Sequence, residues 1–153
     1  MPQRADKCED TVNDDLSFAR VSCDCDKCDD GVLEQLPLIL TCQGRSNLAQ
    51  LANDLALIMD HEGLAELGSS CRLPLLPVSE LDSLSKKRRF LVLEGCRKAC
   101  VQALLAKLRI PTNECVVLSD LGIPLKTGES CTYSQMNMAL RAVQQRLVEL
   151  GAR

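Results

Sequence analysis

Three short apolar runs constrain this chain more than any other feature: QLPLILT at 35–41, FLVL at 90–93 and CVVL at 115–118. None alternates apolar with polar residues, so each reads as a strand buried on both faces. Each is followed by a polar turn and then by apolar residues at helical spacing. After the first run these are Leu48, Leu51, Ala52, Leu55, Ile58 and Met59, ending at His61 and Gly63. After the second they are Val101, Leu104, Leu105 and Leu108, stopped by Pro111. After the third they are Met136, Leu140, Val143, Leu147 and Leu150, with Gly151 just beyond. Strands separated by helices pair in parallel, because a parallel pair needs a long crossover. The expectation is a small three-layer α/β domain over residues 32–153, with a mostly parallel sheet, helical crossovers and a fourth strand within 64–78. Ser46 or Asn47 is placed to cap the first helix, and Thr132 with Gln135 to form a capping box before the last. Residues 80–88 read as polar, running into KKRR at 86–89, a solvated turn before the second strand.

Composition removes several function classes. A chain of 153 residues can build one core, and that core is aliphatic, since aromatics make up 2% of the residues. With no Trp, one Tyr and two Phe, the chain has no stacking platform for single-stranded nucleic acid. A net charge of −3 draws it neither to nucleic acid nor to an anionic membrane. The apolar runs are too short to cross a bilayer, and MPQRADKCED lacks the apolar centre of a secretory signal. A soluble cytoplasmic protein is expected, with a protein or small-molecule partner. In a reducing compartment its ten cysteines point to metal binding or catalysis rather than disulfides.

Four of those cysteines are distributed with the strands. In open α/β sheets ligands gather at the carboxyl ends of the strands. Cys42 follows the first run directly, and Cys96 follows the second after Glu94 and Gly95. Cys100 is four positions on, one helical turn further, on the first turn of the next helix, where residues four apart face the same way. Cys71 sits in the loop GSSCR, long enough to fold over the same edge. A helix start also favours the thiolate over the thiol. Four thiolates are the usual closed set for zinc, but four buried inert cysteines would give the same spacing. Gly95 is suited to close backbone approach, and the amides of Gly44, Ser46 and Asn47 to an anion at the helix start. Asp120, after the third strand, is placed to orient a ligand or cap its loop.

The pattern resembles the putative zinc-binding family named for an Asp-Gly-Cys motif, the DGC family. The shared elements are C-x-G-x-S-N opening a helix (Cys42, Gly44, Ser46, Asn47), a lone Cys71, and an apolar strand entering EGCRKAC at 94–100. VVLSDLGIPLK at 116–126 and a final helix complete the likeness. The resemblance implies a zinc site on Cys42, Cys71, Cys96 and Cys100 and no settled activity. The family's aspartate is Glu94 here, one methylene longer, in a supporting role if it only braces the site. A structural, interaction or metal-handling module is the expectation. The alternative is a thiolate-based redox or oxyanion-processing enzyme using Cys96 and Cys100, and no catalytic residue is otherwise singled out.

Residues 1–31 are a separate acidic, cysteine-rich segment with nine acids and four bases. Cys8, Cys23, Cys25 and Cys28 are spaced for a second zinc or an iron–sulfur cluster, whose binding energy would become folding energy. Cys115 and Cys131 have no spacing partner and read as packing residues. His61, the only histidine, reads as structural at a helix end. CQGRSN at 42–47 superficially resembles the C-x5-R loop of low-molecular-weight phosphatases, but the arginine position there is Leu48.

Overall fold

Each apolar run becomes a strand of one parallel sheet in a computed structural model of the chain that describes residues 36–151. In chain order the elements are β1 (Leu38–Thr41), α1 (Asn47–His61), β2 (Glu66–Leu67), α2 (Val78–Lys87), β3 (Phe90–Glu94), α3 (Cys100–Lys107), β4 (Glu114–Val117) and α4 (Tyr133–Gly151). Short 3-10 turns at Leu73–Leu75 and Leu118–Leu121 precede α2 and follow β4. The sheet order is β2-β1-β3-β4. Leu38 lies opposite Glu66 and Phe90, and Leu91 opposite Glu114, all in parallel register.

Alternate residues of the strands feed two cores. Ile39, Leu91, Leu93 and Val116 pack with the apolar stripes of α1 and α4. Leu38, Leu40, Phe90 and Val92 pack with Leu81 of α2 and with Val101 and Leu105 of α3. All five residues of β3 are buried, and each apolar one contributes about 1.5–3 kcal/mol on leaving water. This is why the runs carry no alternation: both faces are covered by helices.

The expected caps form. Ser46 Oγ accepts from Ala49 N–H at 3.2 Å at the head of α1. Thr132 and Gln135 exchange bonds at α4, Thr132 N–H to Gln135 Oε1 at 2.9 Å and Gln135 N–H to Thr132 Oγ1 at 3.3 Å.

The polar stretch at 80–88 is the correction. It is mostly helix, because α2 needs only a narrow apolar stripe: Leu81 is its one buried residue. KKRR is not a solvated turn either. Lys86 and Lys87 end α2, and Arg88 turns inward to pair with Glu66 at 2.6 Å, both side chains almost fully buried. Arg88 Nε also donates to Leu36 O at 3.0 Å, and Arg89 donates to Leu150 O near the end of α4. The segment 1–31, with the second cysteine set Cys8, Cys23, Cys25 and Cys28, lies outside the described residues. No helix among the described residues is long and apolar enough to cross a membrane.

Candidate metal centre

Strand order decides where the thiols meet. The chain steps from β1 to one side for β2 and to the other for β3, so the crevice between their crossovers opens at the carboxyl ends of β1 and β3. β1 runs there into Cys42, and β3 into Glu94, Gly95 and Cys96. Gly95 N–H donates to Cys42 Sγ at 3.0 Å, and Gly95 O accepts from Ser119 N–H at 3.2 Å, which ties in the end of β4. A Cβ on Gly95 would stand 3.0 Å from Ala49 N and 3.1 Å from Leu48 C, so the first turn of α1 allows little but glycine.

The four cysteines arrive at this edge differently. Cys42 is 9% exposed. Burial pushes its thiol pKa up; the Gly95 bond works against this, and negative charge on Glu94, Cys96 and Cys100 adds to it. The expectation of easy ionisation at a helix start therefore fails for Cys42: burial dominates, and α1 begins only at Asn47. Cys96 and Cys100 are not one turn apart on a helix. Cys96 is half-buried in the loop after β3, and Cys100 is the exposed first residue of α3. Between them Ala99 takes a left-handed conformation, φ 49°, which disfavours a residue with a Cβ by about 1–2 kcal/mol. Cys71 is exposed, and its loop is fastened to the end of β1 by Ser70 Oγ donating to Thr41 O at 3.3 Å. Among the described residues no three His, Cys, Asp or Glu side chains are gathered tightly enough to hold an ion. The donor chemistry nonetheless fits a soft divalent cation. Cys71, Cys96 and Cys100 stand on loops or a helix end, where each Sγ can turn about its Cα–Cβ bond.

Glu94 has a definite task. It is 1% exposed, and its Oε1 accepts from Val101 N–H at 2.7 Å and Gln102 N–H at 3.0 Å. These are orphan donors at the head of α3, where the cap residue Ala99 has no side-chain acceptor. A buried carboxylate thus starts the helix that presents Cys100.

A sequence comparison decides the family: the pattern of the DGC domain matches residues 38–143. The chain belongs to the DGC domain family. A relative described as "Anaerobic and virulence modulator AnvM", from Pseudomonas aeruginosa, is 34% identical over 124 residues, which cover 78% of this chain and 92% of that protein. No solved structure matches the chain.

In this DGC domain the remaining polar residues mostly brace loops. Asp120 pairs with Arg97 at 2.7 Å, across the loop between Cys96 and Cys100, so it holds the cysteine loop from outside. Asn47 joins the first helix to the loop after β4. Its Oδ1 accepts from Lys126 N–H at 2.7 Å, its Nδ2 donates to Pro124 O at 3.0 Å, and its N–H donates to Lys126 O at 2.9 Å. That last bond corrects the expected anion role of Asn47, whose amide is already engaged. The Ser46 hydroxyl is spent on its cap, and Gly44 O accepts from Gln50 Nε2 at 2.9 Å. The Asp120–Arg97 and Asn47 bonds are not visible in spacing, because their partners are tens of residues away.

Cys115 and Cys131 pack against the two cores, in line with a structural role. Burial, then the charge of Glu94, pushes Cys115 up to about 11. The folded chain therefore holds this proton where the unfolded chain has released it. Its contribution to stability is complete below the ordinary thiol value and is lost as pH rises through about 11. Thermal unfolding followed from pH 8 upward should show this alkaline loss, and Cys115→Ala should flatten it. An unchanged alkaline slope in the variant would refute the assignment.

Proposed function

We propose that this DGC domain binds zinc through Cys42, Cys71, Cys96 and Cys100 and acts as a structural, interaction or metal-handling module. The observation that carries the reading is the environment of Cys42. Its sulfur accepts an N–H bond from Gly95, the residue before Cys96, and its ionisation is opposed first by burial and then by negative charge on Glu94, Cys96 and Cys100. Ionised thiols brought together at this edge would repel one another, and a divalent cation between them would reverse the sign of that interaction. A bound zinc with four thiolates would cross-link loops and leave no position open for a substrate. Gly95 would hold Cys42, Glu94 would fix the helix start that carries Cys100, and the Ser70–Thr41 bond would keep the Cys71 loop at the edge.

The test is metal content with X-ray absorption, on the full chain with Cys8, Cys23, Cys25 and Cys28 changed to serine so that only the domain reports. The expected result is about one zinc per chain with four sulfurs at about 2.3 Å, falling to three in Cys71→Ser. A chain that retains no zinc, or a shell dominated by nitrogen and oxygen, would overturn the reading.

A further inference from the structure

The loops that carry the thiols also carry cations that no carboxylate holds. Arg72 follows Cys71 in the loop after β2, Arg45 lies in the loop after Cys42, and Arg97 and Lys98 lie between Cys96 and Cys100. Arg97 is paired with Asp120, and Lys126, from the loop after β4, with Glu129. Arg45, Arg72 and Lys98 form no ion pair among the described residues. Glu80, in the first turn of α2, is an exposed acid at the same edge, and three free cations outweigh it. This runs against the charge of the whole chain, which is −3.

Apolar side chains border the same edge. Of the five large ones that are more than half exposed among the described residues, four lie here. Leu75 stands just before α2 and Val78 at its start, Leu125 lies beside Lys126, and Tyr133 opens α4. Cys131 Sγ donates to Asn47 O at 3.7 Å, which sets the start of α4 beside the start of α1. Such a concentration marks a contact surface rather than scattered exposure.

Sheet order gives the spacing of the free cations. The loops with Arg72, Arg45 and Lys98 leave β2, β1 and β3, which are consecutive in the sheet. Adjacent strands lie about 4.8 Å apart, so these loops leave the sheet over a span of about 10 Å. An extended segment sets alternate side chains about 7 Å apart on one face, so two or three alternating acids cover that span. We infer that the carboxyl rim docks an acidic, extended segment of a partner protein, with alternating Asp or Glu at its centre and apolar residues at its ends. The acids face Arg72, Arg45 and Lys98, and the apolar residues lie on Leu75 and Val78 at one end and Tyr133 at the other. Protein fits better than nucleic acid, since the chain has no Trp and one Tyr on which bases could stack. Docking uses the cations and not the thiols, so it stands apart from the zinc reading and is tested without metal.

The probe is a fluorescent synthetic peptide with alternating glutamates in its centre and a leucine pair at each end, titrated with the reduced, metal-free full chain and followed by anisotropy. Saturable binding is expected, about tenfold tighter than for the same peptide with lysine in place of glutamate. Arg45→Glu with Arg72→Glu should weaken it about tenfold. Lys86→Glu with Lys107→Glu changes the net charge equally at the last turns of α2 and α3, and should alter it less than about twofold. Leu75→Ser with Val78→Ser should weaken it about threefold at an unchanged urea midpoint. Equal weakening by the two charge reversals overturns the proposal, because the charge of the whole chain would then explain binding. So do the absence of saturable binding, displacement of the peptide by inorganic phosphate at matched ionic strength, and tighter binding of a single-stranded oligonucleotide. A dimer of the chain that the peptide does not dissociate, and that the Arg45 and Arg72 reversals break, also overturns it by making the occupant a second copy.

Discussion

Glu94→Ala is expected to destabilise the domain by about 2–4 kcal/mol, because it orphans one buried and one part-buried N–H group and removes the charge that caps α3. At the proposed zinc site it should also weaken metal binding by about 10- to 100-fold, the usual effect of losing a group that orients a ligand. The two effects separate experimentally. Urea unfolding with excess chelator reads the helix cap alone, and competition with a chromophoric chelator reads the metal. Glu94→Gln keeps an acceptor of the same length and should recover part of the stability. Glu94→Asp restores the family's motif but shortens the arm by one methylene. Unfolding of Glu94→Ala in chelator at the same urea concentration as the parent would show that the two bonds do not stabilise α3.

Arg88→Met is the second large expected effect, a loss of about 3–5 kcal/mol, because it strands the Glu66 carboxylate in the interior. Glu66 is 5% exposed, and its Oε1 already lacks a hydrogen-bond partner among the described residues. Removing Arg88 leaves the other oxygen unpaired as well. The double variant Arg88→Met with Glu66→Leu should regain most of the loss, since an apolar pair of similar volume avoids the desolvation of both charges. The comparison of the two urea midpoints is decisive. If the double variant is no more stable than Arg88→Met, the loss comes from packing or from the bond to Leu36 O rather than from the stranded charge.

The buried Arg88 shows where reading the chain stopped. KKRR looks solvated because nothing local distinguishes a lysine in water from an arginine turned towards Glu66, 22 positions away. α2 escaped notice for a related reason: with Leu81 as its only buried residue, it has almost no stripe to detect. Spacing also misjudged Cys96 and Cys100 as one helical turn, since the left-handed Ala99 delays the helix to Cys100.

What the chain alone determined is whatever depends on neighbours within a few residues. The three apolar runs dictated strands buried on both faces, the stripes dictated α1, α3 and α4, and Ser46, Thr132 and Gln135 dictated two of the helix starts. Those terms are local propensity, periodicity and capping, and each is written within one turn or one strand. Only the tertiary structure decided that Gly95 N–H would meet Cys42, that Glu94 would cap α3 and that Asn47 would hold the loop at 124–126. These contacts follow from the order β2-β1-β3-β4, which sets which loops share an edge. That order is chosen by how the helices cover both faces of the sheet, a property of the whole chain and of no single segment.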